Sequence, residues 1–254
     1  MRFSESDSDD ETLETTSDRL IGVTLLSGDD DVLLATRNGK AIRFRSTDVR
    51  EFQSRTSAGV RGARLLGDDE VISLSILHGT PWDQDTETRE AYLKAAPWKE
   101  GEREATLDEA TMQAMADAEE FVMTVCANGY GKRSSAYEYR RIGRGGQGIT
   151  NIDNLARNGP VVASFPAHKG EQLMLVTDQA KLIRMSVGDT RVIGRGSSGV
   201  RLFHVGKDEH VVSAARIAET EDEAEVDLSG EVPVAIDPQV EGDTDADLAD
   251  GHEE

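Results

Sequence analysis

The residues of this chain that could do chemistry are basic, and they recur. Lys40, Arg43 and Arg45 precede Arg55 and Arg61; Lys132 and Arg133 precede Arg140, Arg141 and Arg144; Lys181 and Arg184 precede Arg191, Arg195 and Arg201. In each set a glycine follows one arginine by four residues: Arg55 to Gly59, Arg144 to Gly148, Arg195 to Gly199. Gly143, Gly145, Gly146 and Gly194 crowd the same stretches. A guanidinium is a planar fork that grips two phosphate oxygens, and glycine lets a main chain approach a bulky polyanion. One such set would be accounted for by a solvated, salt-bridged strand surface. Three in register point to a phosphate backbone, and hence to nucleic acid.

Other chemistries fit less well. Gly145-Gly146-Gln147-Gly148 lacks the Lys-Ser/Thr end of a nucleotide loop and opens no helix, so tight inter-strand loops explain its glycines better. His204 and His210 lie six residues apart with no third ligand nearby, and His78 and His168 sit in turns. Cys126 is the only cysteine and lies in an apolar run, which excludes disulfides and a multi-cysteine zinc site. Tyr137 and Tyr139 alternate along a strand-like stretch, as packing or surface residues do. No nucleophilic triad or paired-carboxylate arrangement stands out. Neither a catalytic nor a metal site is expected, and no cofactor is expected in this chain.

The elements that carry the basic residues are short strands. Val32 to Thr36, Phe121 to Val125 and Leu173 to Thr177 open three copies of one unit, and Val71-Ile72-Ser73, Val162-Ala163-Ser164 and Val211-Val212-Ser213 close them. A repeat of about 50 residues built from strands signals blades or a solenoid. Leu20 to Val23 reads as a further short strand. Asn38-Gly39 predicts a hairpin turn with positive φ at both positions. Period-two geometry puts Ile42 and Phe44 on one face of the returning strand as core, and Arg43 and Arg45 on the other as charge. About 38 residues are inserted between the first two copies. Glu87 to Ala95 reads as a helix ending before Pro97, and Thr106-Leu107-Asp108-Glu109 as a capping box opening another to about Ala118, with Met112 and Met115 as packing residues. The organisation expected is an acidic connector with a strand remnant (1–18), a first unit (19–79), an acidic helical insertion (80–118), two further units (119–170 and 171–218) and a disordered acidic tail (219–254).

Charge divides along these lines. The net charge is −21, with 49 acids and 28 bases. Residues 1–18 and 219–254 together hold 22 acids and one base, and residues 80–120 hold twelve acids and four bases. The repeats keep 15 acids against 23 bases, a local charge of +8 inside an acidic protein. Segments as acidic and aromatic-poor as the two ends cannot bury enough surface to offset their ordering entropy. No apolar run approaches the roughly 18 residues of a membrane span, and Met1-Arg2-Phe3 followed by acids is no signal peptide, so a cytoplasmic location is expected.

These residues resemble the C-terminal domain of DNA gyrase A. The likeness rests on Asp31 to Thr36 through Asp48-Val49-Arg50, on Gly129-Tyr130-Gly131-Lys132-Arg133 through Arg140, on Gly143 to Gly148, on Leu175 to Gln179, and on Glu209 to Ser213. It covers about residues 19–218. It implies an all-β fold, a propeller-like β-pinwheel of four-stranded antiparallel blades, here about three, with a small helical insertion and acidic tails. It also implies non-specific DNA wrapping in support of negative supercoiling by an ATP-dependent type II topoisomerase. The DNA contacts would then be the fifteen basic residues named above, with Gly59, Gly143, Gly145, Gly146, Gly148, Gly194 and Gly199 shaping the loops. The partners implied are double-stranded DNA, the rest of the gyrase A protein, and gyrase B in a heterotetramer. ATP and Mg, like the catalytic tyrosine, belong to other parts of that holoenzyme, so no tyrosine here inherits the role. The family's Gln-Arg-Arg-Gly-Gly-Lys-Gly box appears only as the looser Gly143 to Gly148. The C-terminal domain of topoisomerase IV is the nearest alternative, and a protein-binding propeller scaffold is the alternative of another class.

Overall fold

The computed structural model describes residues 19–54, 56–99, 106–153 and 155–218. Arg55, the expected connector and strand remnant of 1–18, and the acidic tail from 219 onward lie outside them.

Each repeat opens with a tight antiparallel hairpin: β1 (Asp30–Thr36) with β2 (Lys40–Arg45), β4 (Phe121–Cys126) with β5 (Tyr130–Ser135), and β8 (Gln172–Thr177) with β9 (Leu182–Ser186). The Val-x-Ser segments supply a third strand on the far side of the first: β3 (Val71–His78), β7 (Val161–Pro166) and β11 (Val211–Ile217). Two short strands, β6 (Ile149–Thr150) and β10 (Val200–Arg201), complete sheets of order β3-β1-β2-β6 and β10-β5-β4-β7; the third sheet is β11-β8-β9. The sheets are therefore interlocked. β6 follows β5 in the chain yet pairs with β2, and β10 follows β9 yet pairs with β5.

The hairpin turns differ from expectation in a consistent way. Gly39 adopts φ 75°, but Asn38 stays out of the left-handed region. The bond from Gly39 N to Thr36 O (3.1 Å) closes a turn in which only the last residue is left-handed, so one glycine suffices. Gly129 repeats this against Cys126 O (3.1 Å) with φ 75°. In the third repeat Ala180 takes the same place, bonded to Thr177 O (3.0 Å) at φ 60°, where a Cβ is strained.

Side-chain alternation puts Leu33 and Leu77 against Val122, Ala136 and Tyr139 between the first two sheets. Met123 and Val125 meet Leu173, Leu175 and Val211 between the second and third. Ile42, Phe44 and Val32 form a cluster on the opposite face of the first sheet. The expected split into a core face and a charged face fails at β2, where Ala41, Ile42, Arg43 and Phe44 are all buried, because the next sheet packs over the arginine side. Leu20 to Val23 forms no strand, and Val23 is 82% exposed. The first sheet's four positions are filled without it.

The insertion folds onto this stack. A 3-10 turn (Pro81–Gln84) leads into α1 (Thr86–Ala95), whose cap Asp85 accepts from Thr88 N at 3.1 Å. In α2 (Glu109–Asp117) the cap is Asp108, accepting from Thr111 N at 2.9 Å, rather than the expected Thr106. Met115, Tyr92 and Tyr137 are buried together, and Trp82, Trp98 and Met112 pack half-buried against them. A single turn, α3 (Leu155–Asn158), precedes β7.

Candidate nucleic-acid interface

Three expected arginine contacts point inward. Arg43 is 2% exposed; its Nε lies 2.6 Å from Asp31 and its Nη2 lies 2.8 Å from Asp83, and Nη1 donates to Ala136 O and Tyr139 O (both 3.3 Å). Arg141 joins the same two carboxylates at 2.7 and 3.1 Å, giving a four-member ion cluster shared by the first repeat, the insertion and the second repeat. Arg133, the counterpart of Arg43 on β5, donates from Nε to Thr190 O (2.8 Å) and from Nη2 to Gly188 O (3.3 Å). Arg43 and Arg133 thus each hold the 3-10 turn of the following repeat: Ala136–Glu138 in one case, Val187–Asp189 in the other. A buried guanidinium needs all its donors used, and adjacent carbonyls at a turn supply several acceptors.

Lys132 is also buried, and strand register explains why. Ala35 pairs with Ala41 and Val125 with Gly131, so Lys132 occupies the place of Ile42, not of Lys40. Its Nζ donates to Gly194 O and Ser197 O (both 3.0 Å) and to Arg195 O. Burial pulls the ammonium down from 10.5 to about 8. The residue aligned with Lys40 and Lys181 is Tyr130.

The in-register arginines Arg144 and Arg195 act as staples between repeats. Arg144 donates from Nε to Asp48 O (3.1 Å) and from Nη1 to Arg61 O. Arg195 donates to the matching atoms, Glu138 O (3.1 Å) and Thr150 O. The glycine four residues on is required where the chain crosses the accepting strand. Gly199 has φ 74°, and a Cβ there would lie 2.8 Å from Gly131 O; Gly148, at φ 75°, would collide with Ala41 O.

The remaining expected contacts reach the surface. Lys40, Arg45, Arg61, Arg140, Lys181, Arg184, Arg191 and Arg201 are exposed. Lys40 Nζ lies 3.2 Å from Thr150 Oγ1, and Arg184 reaches Gln172 Oε1. Lys181 Nζ lies 2.6 Å from Glu209 Oε2. Lys181, with Thr177 and the Gly206 amide, holds that carboxyl at about 2. Arg157, exposed and outside the repeat register, was invisible to sequence reasoning. Its guanidinium carbon sits 4.4 Å from the centroid of the Tyr130 ring, and that of Arg201 sits 5.3 Å from the same centroid. Arg201 also donates to Tyr130 Oη (2.8 Å) and, from Nη1, meets His204 Nε2 at 2.9 Å. Arg157 donates to Ser198 O (2.8 Å). Two guanidiniums so flank one ring on β5, next to the edge strand β10 of the second sheet, and His204 meets one of them.

Nothing else among the described residues competes as a site. Burial pushes the Cys126 thiol up to about 12, which leaves it unreactive. Tyr139 donates to Asn151 Oδ1 (2.6 Å) and Tyr137 to Met115 O (3.0 Å), both buried. Among the described residues no group of His, Cys, Asp or Glu could hold a metal ion, and no helix is long and apolar enough to cross a membrane.

Comparison with known proteins agrees with this architecture. The family model described as the DNA gyrase C-terminal domain, a beta-propeller, matches residues 30–78, 120–167 and 171–218. The DNA gyrase A protein of Granulibacter bethesdensis is 43% identical over 257 residues, covering 91% of this chain and 27% of that protein. Its Salmonella typhimurium counterpart is 37% identical over 229 residues, covering 90% of this chain and 21% of that protein. The C-terminal domain of a DNA topoisomerase IV superposes with a TM-score of 0.55 at 19% identity, over 75% of this chain and 47% of that one, a likeness of fold. The chain belongs to the family of DNA gyrase A C-terminal domains. It spans about a quarter of the length of the gyrase proteins it matches.

Proposed function

We propose that this chain binds double-stranded DNA without sequence preference and bends it along its exposed basic edge, as the wrapping part of gyrase A. The observation that carries this is the sorting of the cations. Six of the expected contacts are turned inward or stapled between repeats, and Arg55 lies outside the described residues. Lys40, Arg45, Arg61, Arg140, Lys181, Arg191 and Arg201 still face solvent, joined by Arg157. They sit on a segment whose local charge is +8. Phosphate contacts of this kind set position and affinity but read no bases. In the complete enzyme the partners are the rest of the gyrase A protein and gyrase B, acting on the chromosome in the cytoplasm, with ATP hydrolysed elsewhere. Trp82 and Trp98, half-buried against the insertion's cluster, give the protein-scaffold alternative little exposed aromatic surface.

The test is fluorescence anisotropy with duplexes of unrelated sequence. Six to eight phosphate contacts give a log–log salt slope of about −5 to −7, with affinities equal across sequences. A flat salt dependence, or binding confined to one sequence, overturns the reading.

A further inference from the structure

Strand exchange builds the same crossing at both joints between repeats. Thr150 of β6 lies opposite Lys40 on β2, and Arg201 of β10 lies opposite Tyr130 on β5. The next amide locks each crossing to a hairpin glycine: Asn151 N to Gly39 O (2.7 Å) and Leu202 N to Gly129 O (2.9 Å). Each opposed pair is also bonded side chain to side chain, Lys40 Nζ to Thr150 Oγ1 at 3.2 Å and Arg201 Nη2 to Tyr130 Oη at 2.8 Å. Both pairs therefore hold one exposed cation beside one hydroxyl, but the cation changes strands. It stands on the hairpin at the first joint and on the incoming strand at the second. Directly opposed side chains start only about 5 Å apart, so either arrangement brings the charge to the same place on its joint.

A second cation flanks each pair. Arg195 lines a polar cleft with Lys40, Thr150, Asp153 and Gly196. Its bonds to Glu138 O and Thr150 O run through Nε and Nη1, and neither engages Nη2. At the second joint Arg157 sits over the Tyr130 ring, and its bonds to Asn158, Ser198 and Gly199 run through Nε and Nη2, leaving Nη1. Among the described residues neither Lys40 nor Arg201 meets a carboxylate, in contrast to Lys181 on Glu209. The joints differ in one respect. Five residues past the left-handed glycine stands Asp153 at the first and His204 at the second. Unspent donors on two cations beside a hydroxyl suit the oxygens of a phosphodiester.

We infer that each joint is a seat for one backbone phosphate of the duplex, so that the crossings between repeats set where the DNA is gripped. This rests on the duplex binding proposed above and adds where the phosphates sit. The first seat is Lys40 and Thr150 backed by Arg195, and the second is Arg201 and Tyr130 with Arg157 on the same ring. Asp153, lining the first seat, holds its affinity for a phosphate below that of the second.

Moving the first joint's cation across its strand pair tests this in the full 254-residue chain, by fluorescence anisotropy with duplex. Lys40→Tyr should lower affinity at 0.1 M salt about eightfold, the worth of one phosphate contact between 1 M and 0.1 M, with the log–log slope falling by about 0.9. Adding Thr150→Arg rebuilds the second joint's pair at the first and should return affinity to within about twofold of wild type. Adding Gln113→Arg instead, exposed on α2, restores the net charge away from the joint and should not rescue. Asp153→Asn should tighten binding about two- to fivefold, a gain that misfolding cannot mimic. Unchanged affinity in Lys40→Tyr or Asp153→Asn, or equal rescue by Gln113→Arg, overturns the seats while leaving duplex binding standing. A wild-type chain that binds no duplex overturns the earlier reading and this one together.

Discussion

Lys132→Met separates the two roles that a lysine of this motif could play. The substitution keeps the length of the side chain and removes the ammonium from its nest of Gly194, Arg195 and Ser197 carbonyls. Hydrogen bonds from a charged donor contribute about 1.5–3 kcal/mol each, so three give roughly 4.5–9 kcal/mol. Burial opposes this by about 3 kcal/mol, the equivalent of moving the group from 10.5 to about 8. The net loss is then about 1.5–6 kcal/mol, centred near 4. For a domain of this size a loss of about 4 kcal/mol lowers Tm by about 8–16 °C. The loop it holds is the one that carries β10 onto the second sheet, so the loss falls on the joint between repeats. Calorimetry gives the stability, and anisotropy well below the variant's Tm gives the affinity for duplex. A Tm shift of that size with affinity within about twofold of wild type is the expected pair of results. An unchanged Tm with a several-fold loss of affinity would show that Lys132 meets phosphate, and would refute the clamp.

Three further outcomes follow from particular residues. Glu119 is raised from 4.5 to about 7 by burial; Tyr92 donates to its Oε2 at 2.8 Å, while its Oε1 is buried without a partner. Its folded value lies above its unfolded one, so its contribution is complete below pH 4.5 and is lost as pH rises through 7. Glu119→Gln should therefore add on the order of 2–3 kcal/mol at pH 8 and nothing at about pH 4, measured by urea unfolding across that range. Ala180→Gly relieves the left-handed alanine that ends the third hairpin and should stabilise by about 0.5–1 kcal/mol, where a loss would show the turn tolerates its Cβ. Arg157→Ala with Arg201→Ala removes both guanidiniums from Tyr130 and should weaken duplex binding on every sequence, with the salt slope falling by about 2; an effect on one sequence only would contradict phosphate contact.

The repeat, its strands and the basic character of its surface are all local facts, and they could be read from the chain. Apolar alternation in Val32 to Thr36 and Leu173 to Thr177 needs only the period of a strand. A glycine four residues after an arginine recurs because the chain crosses a neighbouring backbone at that point in each of the last two repeats. The end of α1 before Pro97 and the packing of Met115 were likewise legible, since both depend on residues within a turn or two.

What the chain could not reveal is which cations stay wet. Arg43 and Arg45 lie on the same strand face by period, yet one meets two carboxylates contributed from 12 and 40 residues away, and the other meets solvent. Lys132 looks like the partner of Lys40 until strand pairing moves it two places, into the position of Ile42. Arg157 belongs to no motif and gains a role only because Tyr130 is folded beneath it. Periodicity assigns a side chain to a face of its own strand. Whether that face is surface or interior depends on the next sheet packing over it, and the exchange of β6 and β10 between repeats decides where each sheet lies.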